Sequence, residues 1–186
     1  MCLKQLIKFI RSDLRKHDAK SIPACISTYL FSARFRLLLN YRIGKYYSES
    51  GFALFRLLAK RYKYRQITKR NCQISYRSSL GYNVVFPHPV GIVIGDDVII
   101  GDNVKIWQQV TIGSHGKSEC GTSYPVIADN VRIFAGAKIF GNISIGCNAV
   151  IAANAVVNKS VEDNDVVAGI PAVSIKKSRT KNELIR

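Results

Sequence analysis

Only three imidazoles occur in the 186 residues: His17, His88 and His115. Imidazole ordinarily titrates nearest neutrality, so an isolated one suits general-base work on a hydroxyl. A metal site would need several ligands to converge, and no two of these histidines are close in sequence; no metal is expected. The cysteines (Cys2, Cys25, Cys72, Cys120 and Cys147) are odd in number, scattered and without CxxC spacing. That argues against a disulfide framework and fits a reducing cytoplasm. His17 sits in the charged run Arg15-Lys16-His17-Asp18 and reads as surface. His88 stands between Pro87 and Pro89, whose rings stiffen the backbone. His115 opens a Gly- and Ser-rich stretch, residues 114–124, that reads as a projecting loop.

The elements that position these histidines follow from a repeat. Aliphatics recur at every sixth residue, at Ile94, Ile100, Ile106 and Ile112, then at Ile127, Ile133, Ile139, Ile145, Ile151 and Val157. Four residues after most of them stands another small or aliphatic side chain, among them Val98, Val104, Val110, Val131, Ala137, Ile143, Ala149, Ala155 and Val161. Gly, Asn and Asp crowd the slots between, where turns are needed. A period of six keeps no single face on an α-helix. It does suit a short strand plus a corner, three of which close one coil of a stacked β-helix. The series reaches back less regularly through Ile74, Leu80 and Phe86. It is interrupted twice, around Pro87-His88-Pro89 and at residues 114–124, and breaks in a strict solenoid are where binding and chemistry gather.

Charge divides the chain. Residues 1–72 hold 17 Lys/Arg against 3 Asp/Glu, whereas residues 73–171 hold 6 against 8. Residues 3–16, 25–47 and 52–66 read as basic helices. They would cap the open first coil, and their surface also offers peripheral contact to an anionic membrane at the cytoplasmic face. No nucleic-acid motif accompanies the charge, so nucleic acid is not expected. No secretory signal and no uncharged apolar run of membrane-spanning length is apparent. The expected organisation is a helical segment 1–71, a β-helix 72–172 with loop 114–124, and a basic tail 173–186.

At this point a resemblance emerges. The runs Phe86-Pro87-His88-Pro89-Val90-Gly91-Ile92-Val93-Ile94-Gly95 and Gln109-Val110-Thr111-Ile112-Gly113 are similar to those of hexapeptide-repeat serine acetyltransferases. So are Gly136-Ala137-Lys138-Ile139-Phe140-Gly141-Asn142 and Val167-Ala168-Gly169-Ile170-Pro171-Ala172, and the likeness covers roughly residues 72–177. It implies a mainly β fold, a left-handed parallel β-helix with an N-terminal α-helical segment. It also implies acetyl-CoA as donor, His88 as general base and a homotrimer with the CoA tunnel between subunits. Ala135, Gly136 and Ala153 would line that tunnel, with Lys159, Lys176 and Lys177 near the CoA phosphates. Backbone amides of Gly113 and Ser114 are candidate oxyanion donors.

The departures bear on the acceptor. The family carries Asp fifteen residues before the catalytic histidine and Asp directly before it; here stand Gln73 and Pro87. Its acceptor loop ends in Arg-His-Pro, where this chain has Ser123-Tyr124-Pro125. Because an amino acid's charged groups call for charged partners, the pattern more closely resembles the enzymes of bacterial capsule, exopolysaccharide and O-antigen synthesis. The expected acceptor is therefore a sugar hydroxyl in a surface polysaccharide or its precursor. Gln73, Asp96, His115 and Tyr124 are the acceptor-site candidates, and a backbone carbonyl or Asp96 is a candidate for orienting His88. Serine O-acetylation, acylation of another small acceptor and a non-catalytic β-helix assembly module are the competing readings.

Overall fold

The computed structural model describes residues 1–16, 19–116 and 123–175. The hexads build strands of two or three residues that stack into a three-faced prism. The first face holds β1 (Gln73–Ile74), β3 (Val93–Ile94), β6 (Thr111–Gly113), β9 (Lys138–Phe140) and β12 (Val156–Val157). The second holds β2 (Ser79–Leu80), β4 (Ile99–Ile100), β7 (Val126–Ile127) and β10 (Ser144–Ile145). The third holds β5 (Lys105–Ile106), β8 (Arg132–Ile133), β11 (Val150–Ile151) and β13 (Val166–Ala168), and ends with β14 (Val173–Ser174) antiparallel to β13. With the solved structures compared below, this is the expected left-handed β-helix.

Register explains the sequence period. On the first face Gln73, Val93, Thr111, Lys138 and Val156 form an outward column, and Ile74, Ile94, Ile112, Ile139 and Val157 an inward one. Every aliphatic of the six-residue series is buried, as are the corner fillers from Val98 to Val161 except Ile143, which packs partly buried against them. Each buried Ile is worth roughly 1.5–3 kcal/mol, set against the ordering of its coil. The corners need a left-handed residue just before the filler, and asparagine supplies most of them. Asn83, Asn103, Asn130, Asn148, Asn154 and Asn164 have φ between 55° and 60°, a region that Asn tolerates better than most residues. Their carboxamides also form ladders, Asn83 to Asn103 and Asn148 to Asn164, each at 3.1 Å.

The helical segment comprises α1 (Leu3–Arg15), α2 (Ile22–Phe31), α3 (Ala33–Ser48) and α4 (Ala53–Arg70). The expected single helix 25–47 is in fact two, with a 92° bend between them. Ser32 takes an extended conformation there, and its Oγ accepts the Phe35 N–H at 3.2 Å, so N-capping ends one helix and starts the next. The expected helix 52–66 runs on to Arg70, where Asn71 at φ 51° provides a left-handed cap.

A solenoid's first coil has no coil before it, so its backbone groups lack partners. Here α3 and α4 provide them. Tyr41 donates to the Ser78 carbonyl at 2.7 Å, Lys45 to Tyr76 and Ser78, and Lys63 to Ile74. Gln66, fully buried, accepts the Ile74 N–H at 2.6 Å. Arg42 donates to the carbonyls of Leu80 and Gly81 at 2.7 and 2.6 Å and to Asp13 at 3.3 Å. Burial pushes the Asp13 carboxyl up to about 6 despite the opposing pull of Arg42. Part of the N-terminal charge is thus committed to capping. By contrast α2 buries none of its residues and exposes Ile22, Ile26, Tyr29, Leu30 and Phe31.

Candidate active site

His88 lies on the edge where the third face turns into the first, in the turn between buried Phe86 and buried Ile92. This turn carries two more residues than a regular corner. Its backbone is pinned by Val90 N–H to His88 O at 2.8 Å, Gly91 N–H to Asn71 O at 2.8 Å, and Cys72 Sγ to Pro89 O at 3.3 Å. The extra length throws the imidazole outside the prism, where it is exposed. There it borders a cavity of about 520 Å³ whose opposite wall is Phe31, Ser32, Ala33 and Arg34 at the α2–α3 junction. An imidazole so placed can meet a small hydroxyl compound and exchange a proton with it.

The same edge continues over the next coils. Backbone bonds step along it, Gln109 N–H to Val90 O, Gly136 N–H to Gln108 O and Asn154 N–H to Ala135 O, each 2.8–2.9 Å. Ala135, Gly136 and Ala153 therefore lie in line with His88, as a ligand running along the coils requires. Gly136 has its own reason to be glycine: its φ is 75° and a Cβ would run into Asn154 Oδ1. Ala135 is half-buried and Ala153 exposed, so backbone stays approachable beside them. These residues fit the pantetheine arm of acetyl-CoA, which needs close approach to backbone.

The other candidates occupy the opposite edge, between the first and second faces. Gly113 is a strand residue paired with Phe140, and its carbonyl accepts the Gly141 N–H at 3.1 Å. The Ser114 hydroxyl accepts the Gly116 N–H at 3.2 Å. The exposed His115 ring covers Gly141, where a Cβ would come within 2.7 Å of it. The Tyr124 ring packs over Gly95 and against the core. Asp96 lies past the far end of β3 from His88, accepts the Ser75 hydroxyl and faces Arg77. Asp96, offered beside a backbone carbonyl as a candidate for orienting His88, does not meet it within one chain, where β3 lies between them. Lys159 is exposed on this second edge too, and Gln73 heads the outward column of the first face. Lys176, Lys177, His17 and residues 117–122 of the expected loop lie outside the described residues.

Sequence reasoning missed the helical wall of the His88 cavity. Arg34 and Ser32 come from a segment read as a cap and a membrane-contacting surface, and the helix break at Ser32 was the available signal. Among the described residues no group of three or more His, Cys, Asp or Glu side chains converges.

No protein-family model matches the chain. A serine acetyltransferase of Staphylococcus aureus (strain MSSA476) is 36% identical over 179 residues, covering 92% of this chain and 79% of the relative. One from Staphylococcus xylosus is 41% identical over 132 residues, 70% of this chain and 58% of the relative, so the chain spans little more than half of that protein. Among solved structures, a Brucella abortus serine acetyltransferase in complex with coenzyme A matches with TM-score 0.81 and 31% identity, covering 93% of this chain and 68% of that one. A soybean serine acetyltransferase complexed with serine matches with TM-score 0.79 and 31% identity, covering 92% and 70%. These findings overturn the expected sugar acceptor in polysaccharide synthesis: neutral residues at the acceptor positions did not outweigh similarity spread over nearly the whole chain.

Proposed function

We propose that this chain, which belongs to the serine acetyltransferase family, transfers the acetyl group of acetyl-CoA to the side-chain hydroxyl of serine, with His88 as general base. The 36% identity over 179 residues to a serine acetyltransferase is the observation that carries this reading. Acetyl-CoA supplies an acyl group already activated as a thioester, so the protein need only position, deprotonate and stabilise. His88 takes the proton of the acceptor hydroxyl as its oxygen bonds to the acyl carbon. It then gives that proton to the departing sulfur as the carbon–sulfur bond breaks. Ala135, Gly136 and Ala153 flank the donor along the edge.

One chain keeps His88 on one edge and Gly113, Ser114, His115 and Tyr124 on the other. This separation supports a homotrimer in which the second edge of one protomer faces His88 of its partner. Coenzyme A release should then depend on L-serine, and His88→Ala should lower kcat at least ~100-fold with thermal stability unchanged. Release without serine dependence would refute the acceptor, and full activity of the variant would refute the base.

A further inference from the structure

The cavity beside His88 shares part of its wall with another. Ala33, Pro89 and Val90 also line a second cavity of about 580 Å³, whose remaining walls include Arg36 of α3 and Arg65, Lys69 and Arg70 of α4. None of its ten lining residues is acidic. Ordinary structural duties account for part of this charge. Lys69 and Arg70 suit the negative C-terminal end of α4, and Arg70 Nε ties that end to the Arg36 carbonyl at 3.1 Å. Arg36 also reaches the Leu30 carbonyl at 3.4 Å.

These bonds to neutral carbonyls leave the net charge uncompensated. Arg36 sits in the first turn of α3, the positive end of that helix, where no acidic residue accompanies it. Burial, with repulsion from Arg36 and Arg65, holds the Arg70 guanidinium below its ordinary pKa. The three acidic residues of the N-terminal 72 are Asp13, Asp18 and Glu49. Asp13 is engaged by Arg42, Glu49 by Lys45 and the N-terminal ammonium, and neither lines this cavity. Four cations line one cavity, and repulsion from Arg36 and Arg65 is already felt at Arg70. A multiply charged anion relieves that repulsion, and guanidinium forks match phosphate oxygens in pairs.

We infer that the cavity walled by Arg36, Arg65, Lys69 and Arg70 is a phosphate-binding site adjoining the cavity beside His88. The inference goes beyond the acetyl-transfer reading and does not depend on it. The phosphate could come from a soluble phosphate ester or a lipid headgroup, and the test separates these sources. Thermal unfolding of the full chain is followed with inorganic pyrophosphate and with sodium chloride of matched ionic strength. Vesicles of phosphatidylcholine, with and without phosphatidic acid, are sedimented with the protein in parallel.

The expected result is a saturable rise in Tm with pyrophosphate that chloride does not reproduce. It disappears in R65A/K69A and survives in the control K8A/R11A, which removes two exposed charges of α1. His88→Ala should keep the rise, so failure of the acetylation reading would leave this readout intact. Phosphatidic acid vesicles that pull down the wild type, lose R65A/K69A and release protein to pyrophosphate would identify a lipid source. Pyrophosphate binding without such pull-down would identify a soluble one. The inference is overturned if the response does not exceed that of chloride and no vesicle binding depends on Arg65 and Lys69. It is equally overturned if R65A/K69A responds like the wild type.

Discussion

Replacing Arg42 with Met keeps most of the buried side-chain volume while deleting the guanidinium that joins α1, α3 and the first coil. Three acceptors lose their donor: the carbonyls of Leu80 and Gly81 and the Asp13 carboxylate. Each stranded carbonyl costs about 1 kcal/mol at the low end of the usual range. Asp13, stranded in the interior, is best served by taking up a proton. Because the wild-type carboxyl is already held at about 6, keeping it protonated at pH 7 adds about one pH unit, or ~1.4 kcal/mol, to the cost of the substitution. The sum, about 3 kcal/mol, is a large share of the stability of a typical domain. A carboxyl whose native pKa lies above its unfolded value loses stability as pH rises between the two. The variant should therefore regain about 2.7 kcal/mol on going from pH 7 to pH 5. The wild type, with Asp13 pushed up to about 6, should regain about half as much. Urea unfolding monitored by circular dichroism at both pH values measures each quantity. A penalty below about 1 kcal/mol at pH 7, or one that does not narrow by ~1 kcal/mol at pH 5, would refute this account of the cap.

Asp13→Asn should flatten the wild type's fall in stability between pH 4 and pH 6, read from unfolding midpoints across that range. Gly136→Ala places a Cβ at φ 75° against Asn154; it should cost roughly 1–2 kcal/mol and raise KM for acetyl-CoA more than it lowers kcat. Gln66→Leu strands the buried Ile74 N–H; a loss of about 1–3 kcal/mol should appear with faster amide exchange at Ile74. Sedimentation velocity should give three chain masses at assay concentration, and a stable, fully active monomer would remove the shared-site arrangement.

The period of six was enough to specify the prism, because the inward column, the corner filler and the left-handed asparagine are fixed by geometry within one hexad. The two irregular stretches were visible for the same reason, and His88 was legible because its turn carries two extra residues. The cap was legible as basic helices, but not which cations it uses. Arg42, Lys45 and Lys63 meet carbonyls more than ten residues away in the chain, and no local pattern records that. The break at Ser32 went unread because apolar residues run through both helices. The face that separates Asp96 from His88, and the two cavities the α2–α3 junction builds with Pro89 and Val90, exist only once the coils are stacked. The acceptor was misread at Gln73, Pro87 and Tyr124, where a few changed side chains were weighed against a likeness that runs along the whole chain. What lies within a coil follows from sequence period; what lies across an edge or between helix and coil depends on packing distances that only the tertiary structure sets.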